Sequence, residues 1–273
     1  MKFSIVMPSL NASSYIDSAI GSIAHQTHNE WELIVVDGGS SDDTIDIVKS
    51  WMKRESRIQL IDLPESSIYQ AIIRGFSVAK GQIFSWLNAD DLYVPDAFSI
   101  LSSFFQSEDN CQWVTGLPTI FDPDGNRCCV YPHMKRPRFL IEKGAFNPNF
   151  LSCIQAESTF FSAELFGKLS DEDKVQISSL KLAGDFLLWR KLAKFASLHP
   201  LPHVVGGFRI HGKNKSLLQS AEYRDEVEAT GAFCVSPSIA YRIQQVYRFA
   251  TFTRGFAQAE RKNRVLNQRV FCN

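Results

Sequence analysis

Two stretches hold residues whose types could do chemistry together. In "FSWLNADDLYVP", residues 84–95, an apolar run stops at Asn88, Asp90 and Asp91. Adjacent carboxylates repel, so the pair must be solvated in a surface loop or neutralised by a cation, basic side chains or helix dipoles. A hard divalent ion such as Mg²⁺ or Mn²⁺ takes oxygen ligands and often binds through one or two carboxylates plus substrate phosphates. In "VVDGGSSDDT", residues 35–44, Asp37 could accept hydrogen bonds from a base or ribose, Gly38 and Gly39 let a backbone come close, and Ser40 could cap a following helix. Each stretch alone has an ordinary alternative, a solvated loop aiding a helix N-terminus or a plain strand-to-helix turn.

The surrounding elements must position these residues. "KFSIVMP" is a compact apolar strand, after which Ile16, Ala19, Ile20 and Ile23 recur at helical spacing. "WELIVVD" is a second strand, followed by a helix with Ile45, Val48, Trp51 and Met52 on one face and with Ser40 and Asp43 at capping-box spacing. "RIQLIDL" predicts a third strand, and Ile68, Ala71, Ile72, Gly75 and Ala79 a helix ended by Gly81. "QIFSWL" is a fourth strand, and Pro95 opens the next helix. Repeated β-α units imply an α/β fold with a mostly parallel, Rossmann-like sheet flanked by helices.

Such sheets bind ligands beyond the C-terminal ends of their strands. That rule singles out Pro8, Ser9 and Asn11 after the first strand, Asp37, Gly38, Gly39 and Ser40 after the second, Glu65 after the third, and Asn88, Asp90 and Asp91 after the fourth. A nucleotide held near Asp37 could present its diphosphate to a metal at Asp90. From about residue 110 the rhythm changes: "QWVTGLPTIFD" is expected as a strand, "DPDGN" as a turn, "ESTFFS" as a short strand, "AGDFLLWRKLAKFA" as a helix beginning at Asp185, and "HVVGGFRIHG" as a strand ending at His211.

Composition excludes several classes. The 273 residues are 45% hydrophobic with a formal net charge of zero, which offers no general basic field for nucleic acid. Six cysteines show neither a C-x-x-C pair nor a Cys/His rhythm, so neither a zinc site nor a disulfide framework is expected. "MKFSIVMPSLN" is too little for a secretory signal, and no apolar run approaches the roughly 20 residues that span a bilayer, so a cytoplasmic location is expected. "PSLN" after the first strand lacks G-x-G-x-x-G, which argues against a nicotinamide oxidoreductase.

"IVMPSLN", "AHQTHNEWELIVVDGGSSDDT", "YQAIIRGFSVAKGQIFSWLNADD" and "LAGDFLLWRKLA" together resemble family 2 glycosyltransferases of the GT-A fold, in order, over roughly the first 215 residues. The resemblance implies a nucleoside diphosphate sugar donor held by Pro8, Ser9, Asn11, Asp37, Gly39, Ser40, Glu65, Asn88 and Asp90. It implies Mg²⁺ or Mn²⁺ on Asp90 at the usual Asp-x-Asp motif, where Asn88 replaces the first aspartate. In "ESSIYQAIIRG", Ser67, Gln70 and Ile73 also depart from the Asp-x-Gly-Ile-Tyr-Asp-Ala-x-Asn of resembling sequences.

By the same resemblance Asp185 aligns with the base that takes the acceptor hydroxyl proton, while Gln155 and Glu157 in "CIQAESTFF" line the acceptor side. Glu157 is the rival base. "FRIHGKNKS" resembles the segment that closes the site, with Arg209 or His211 near diphosphate and metal, and His211 as a further metal ligand. The implied activity is inverting transfer to a saccharide or lipid-linked saccharide, in polysaccharide or lipopolysaccharide assembly. A polyprenyl-phosphate glycosyltransferase and a non-catalytic nucleotide-sugar-binding relative are the rivals.

Residues 1–215 are expected as the catalytic domain, with 1–110 the nucleotide-sugar half and 111–215 the acceptor half. Residues 216–273 are expected as a helical, basic extension, whose last part, residues 241–273, sets Arg242, Arg248, Arg254, Arg261, Lys262, Arg264 and Arg269 against one acid, Glu260. Interleaved aromatics would let it touch an anionic membrane at the inner face of the cell, or simply pack with a solvated basic side.

Overall fold

A computed structural model describes residues 1–133, 135–233 and 242–243. The first part runs β1 (Phe3–Ser9), α1 (Ile16–Ala24), β2 (Trp31–Asp37), α2 (Thr44–Met52), β3 (Ile58–Asp62), α3 (Ile68–Phe76) and β4 (Ile83–Trp86). Next come β5 (Leu92–Tyr93), α4 (Ala97–Ser107), β6 (Trp113–Thr115), β7 (Thr119–Phe121), β8 (Arg127–Val130) and α5 (Arg138–Glu142). A single 3₁₀ turn at Ala156–Ser158 leads into β9 (Thr159–Ser162), α6 (Ala163–Gly167), α7 (Asp171–Ser179) and α8 (Gly184–Leu192). The described chain closes with β10 (His199–Pro200), β11 (Gly206–Arg209), α9 (Lys215–Leu218) and α10 (Ser220–Ala229).

The expected α/β class is borne out. Seven strands form one sheet in the order β10-β6-β9-β4-β1-β2-β3, parallel except for β9, which runs antiparallel to both neighbours. Along β1 and β2 the side chains alternate between two cores. Phe3, Ile5 and Met7 with Trp31, Leu33 and Val35 pack under α1 and α4, whereas Val6, Ile34 and Val36 pack under α3 and α8. Both faces are covered, so these strands are buried throughout, as parallel strands must be. Register pairs Ser9 with Asp37 and Asp37 with Asp62, so three strand ends arrive at one edge.

Several expectations need correction. "QWVTGLPTIFD" is not one strand: it breaks at Gly116–Pro118, with β6 in the large sheet and β7 in a second sheet of order β5-β11-β7-β8. At Gly116 a Cβ would stand 2.5 Å from Val205, so the chain can turn there only as glycine. Ser40 and Asp43 form no capping box, because the Ser40 hydroxyl donates to Asp37 and Asp43 makes no side-chain cap bond. The third helix stops at Phe76, short of Ala79, and Pro95 precedes the Asp96 N-cap rather than opening α4. The strand expected to end at His211 is the short β11, which stops at Arg209.

Most of the basic tail lies outside the described residues, whereas residues 220–229 form α10. Its Val227 is buried against Ala183 and Phe186, so the part next to the expected boundary at 215 is packed on the domain. Among the described residues no helix is long and apolar enough to cross a membrane.

Helix α3 lies close over β1 because residue 75 is glycine: a Cβ there would fall 2.5 Å from Val6 Cγ1. Gly75→Ala gains up to about 1 kcal/mol of helix propensity. It also forces overpacking of about 1–3 kcal/mol against a β-branched residue in the sheet. The thermal midpoint of Gly75→Ala is therefore expected to fall; a rise would show that α3 can move away freely.

Candidate active site

The first three strand ends are knitted into one platform. Asp37 is wholly buried; Oδ1 accepts from the amides of Gly39 (3.0 Å) and Ser40 (2.7 Å), and Oδ2 from the hydroxyls of Ser9 (2.8 Å) and Ser40 (2.7 Å). Asn11, at φ 50°, donates its amide to Ser40 Oγ and accepts from the Ser41 amide. Glu65, at φ 62°, donates its amide to the Gly38 carbonyl, and Gly39 sits at φ 97°. Pro8 is the penultimate residue of β1 beside Val36. The nucleotide-side residues are thus brought together, but Asp37 uses its lone pairs to shape the loop. A ligand reaching that carboxylate must displace an internal donor.

The end of β4 carries a buried acid cluster. Asp91 has no exposed surface; Oδ1 accepts from the Arg209 amide at 2.8 Å and Oδ2 from Asn88 Nδ2 at 2.9 Å. The same Asn88 Nδ2 lies 3.3 Å from Glu157 Oε1, so one amide group bridges both acids. Burial, together with neighbouring carboxylates, pushes Asp91 well above the usual range and Glu157 up to about 7. The Glu157 charge adds to the rise at Asp91, so the two carboxyls titrate as a pair. Asp90 turns outward with 29% of its side chain exposed, and its Oδ2 is 2.9 Å from His211 Nε2.

His211 is fixed from three sides. Tyr15 stacks on its ring at 4.5 Å, its own amide donates to Asn214 Oδ1, and the Lys213 amide donates to Nδ1. Nε2 faces both the Asp90 carboxylate and the Asn214 side-chain amide, the latter at 3.1 Å. Arg209 buries its guanidinium over Tyr15, donates to Ser18 Oγ and lies within electrostatic reach of Asp90 and Asp91.

A divalent cation fits at Asp90 only in part. One partly exposed carboxylate and one largely buried imidazole are adjacent, while no group of three or more His, Cys, Asp or Glu side chains placed to hold a metal ion exists among the described residues. The pair suits a hard ion whose other ligands are phosphate oxygens and water.

Asp185 reaches the site on α8. Trp189 of that helix stacks between Trp86 of β4 (5.2 Å) and Trp113 of β6 (5.7 Å), which fixes α8 across the strand ends. Residue 184 must be glycine, because a Cβ there would meet the Tyr69 ring at 2.4 Å. The Asp185 carboxylate is half-buried, and desolvation raises it to about 6 against opposing hydrogen bonds. Its donors, Phe186 N (2.7 Å) and Tyr223 Oη (3.4 Å), both fall on Oδ1, and Tyr69 Oη lies 3.3 Å from the same oxygen while its proton goes to the nearer Leu182 carbonyl. Oδ2 is thereby left as the oxygen that can take a proton.

Gln155, expected on the acceptor side, is fully engaged with the start of β7. Oε1 accepts from the Thr119 amide and the Ser158 hydroxyl while Nε2 donates to the Thr119 carbonyl, so it splints the start of β7. Tyr15, Tyr69, Tyr223 and Glu226 were not singled out from sequence. Tyr69 stands inside a quoted motif and was within reach; Tyr15 and the two α10 residues carry no local signal.

The fold and the edge it presents define a class. Structures similar to this chain include S. aureus TarS, residues 1–349, with TM-score 0.61 and 17% identity, covering 97% of this chain and 76% of that one. A mannosyltransferase from Pyrobaculum calidifontis, solved with GDP-Man and Mn²⁺, gives TM-score 0.59 and 17% identity over 97% and 76%. At such identities the likeness establishes the GT-A fold.

Sequence goes further: the pattern of glycosyl transferase family 2 matches residues 4–156, and this chain belongs to that family. It is 27% identical over 223 residues to the putative teichuronic acid biosynthesis glycosyltransferase TuaG of Bacillus subtilis, covering 81% of this chain and 78% of that one. It is 29% identical over 227 residues to an uncharacterized glycosyltransferase of Rickettsia prowazekii, covering 81% and 69%. Over 116 residues it is 34% identical to a PGL/p-HBAD biosynthesis glycosyltransferase of Mycobacterium bovis, covering 42% and 45%.

The raised Glu157 makes a prediction about stability. The folded protein keeps this proton up to about pH 7, whereas an unfolded glutamate releases it near 4.5. The folded state binds more protons across that window, so stability falls as pH rises through it. Glu157→Gln removes this contribution, and its thermal midpoint should vary less than wild type between about pH 5 and 7. Equal slopes would show that Glu157 is not raised in the folded protein.

Proposed function

We propose that this glycosyltransferase transfers one sugar, with inversion, from a nucleoside diphosphate sugar to a hydroxyl of a saccharide or lipid-linked saccharide. The observation that carries this reading is Asp185, a half-buried carboxylate near pKa 6 with one oxygen held by the Phe186 amide and the Tyr223 hydroxyl. That is a base poised near neutrality. Its Oδ2 takes the proton as the acceptor oxygen bonds to the anomeric carbon, and the bond from that carbon to the diphosphate breaks with its electron pair leaving on the diphosphate. The platform of Ser9, Asn11, Gly39, Ser40 and Glu65 holds the nucleotide, with Asn88 beside it. Glu157 supports the acceptor side from within the acid cluster.

Asp90 and His211 would hold Mg²⁺ or Mn²⁺ with the diphosphate, supplying charge neutralisation at the leaving group. Support for the donor class comes from neighbours solved with UDP-GlcNAc, with GDP-Man and Mn²⁺, and with UDP and Mn²⁺. The teichuronic acid and PGL/p-HBAD relatives favour assembly of a surface polysaccharide or glycolipid. A cytoplasmic site of action, at the inner face of the membrane, belongs to the same reading.

Nucleoside diphosphates tested with and without Mn²⁺ should stabilise the protein selectively. A ligand at 100 times its dissociation constant adds about 2.7 kcal/mol. Asp90→Ala should abolish the Mn²⁺-dependent part; an unchanged shift would remove the metal from Asp90. With the donor in hand, Asp185→Asn should lower kcat by about 100-fold or more. Full turnover in Asp185→Asn would favour a phosphate acceptor, which needs no base.

A further inference from the structure

Helix α8 begins without a cap of its own: its N-cap residue is Ala183, which has no side-chain acceptor. The chain that enters the helix, and the N-cap amide itself, are held instead from another helix. Glu226 of α10 accepts from three consecutive amides, Lys181 at 3.0 Å through Oε1 and Leu182 and Ala183 at 2.8 and 2.9 Å through Oε2. One turn earlier on α10, the Tyr223 hydroxyl reaches Asp185 Oδ1. Val227, without exposed surface, locks the contact against Ala183 and Phe186. On the opposite side Tyr69 of α3 donates to the Leu182 carbonyl at 2.7 Å. The segment delivering Asp185 is therefore clamped between α3 and α10.

We infer that Tyr223 and Glu226 are positioning residues for Asp185: Glu226 caps the chain that delivers it, and Tyr223 aims its carboxylate. The consequence for that carboxylate is specific. A helix-start aspartate ordinarily spends its oxygens on nearby amides. Glu226 ties down the chain at Lys181, Leu182 and Ala183, so Asp185 is held in place without spending both oxygens on the backbone: it accepts one amide, that of Phe186, on Oδ1. Besides Tyr69 and Tyr223, the titratable groups within electrostatic reach of Asp185 are Cys153 and Glu157, neither of which binds the segment. The inference rests on reading Asp185 as the base, and it makes residues beyond 215 part of the catalytic unit.

Two conservative variants of the full chain test it. Glu226→Gln keeps shape but replaces one acceptor oxygen by an amide that cannot accept. Hydrogen exchange at the amides of residues 181–183 should accelerate about 10-fold or more, as expected for lost bonds to a charged group. Tyr223→Phe removes only the hydroxyl. In ¹³C carboxyl NMR, with the Asp185 signal assigned by its loss in Asp185→Asn, the midpoint should rise by about half to one pH unit. A purely structural role for α10 would leave that midpoint in place. Unchanged exchange in Glu226→Gln, or an unmoved midpoint in a folded Tyr223→Phe, overturns the inference while the base reading stands. Turnover surviving in Asp185→Asn overturns the base reading instead, whatever α10 does.

Discussion

Asp91, Glu157 and Asp185 are held largely out of water, and the rest of the site is arranged around that cost. An ionised carboxylate in a low-dielectric interior is stable only if it is paired, hydrogen-bonded or neutralised by a proton. All three answers occur. Asp185 receives the Tyr223 hydroxyl and a backbone amide, burial favours the protonated forms of Asp91 and Glu157, and Asp90 reaches outward to His211. Arg209 packs over Tyr15, bonds Ser18, lies within electrostatic reach of Asp90 and Asp91, and contributes a backbone amide to Asp91.

This constraint explains the departure at residue 88. An aspartate there would be a further carboxylate touching both Asp91 and Glu157, two groups already unable to ionise together. Asparagine offers an NH₂ instead, and Nδ2 donates to both acids. The departures at Ser67 and Gln70 have a similar local logic. They are the two halves of a reciprocal capping box that starts α3, with Ser67 Oγ accepting from the Gln70 amide and Gln70 Oε1 from the Ser67 amide. Substitutions that look like lost family residues are, in the fold, paired replacements.

The nucleotide half was legible because its signals are local. Apolar periodicity marked β1 to β4, and the rule of strand ends gathered Ser9, Asp37 and Glu65 before any contact was known. What was lost is non-local. A strand read through Gly116–Pro118 assumes continuity, whereas the break is imposed by Val205, ninety residues away in sequence, and by Gln155 gripping Thr119. Ser40 has a helix-capping pattern, but Asp37 competes for its hydroxyl and wins through four converging bonds. The burial of Asp91 and the turning outward of Asp90 cannot be separated in a string reading Asp-Asp.

The family pattern ends at residue 156, yet the carboxylate proposed as base lies at 185 and its clamp at 223–226. The difference follows from what each half must do. A platform built from backbone amides and glycine conformations admits few sequences, so it stays recognisable. The base is delivered by packing: Trp189 between Trp86 and Trp113, Gly184 under Tyr69, and α10 against Ala183. Packing of that kind can be met by many residue combinations provided volume and polarity are kept. The walls around Asp185 can therefore be built in several ways while holding one carboxylate in place, whereas the strand-end platform depends on particular backbone conformations.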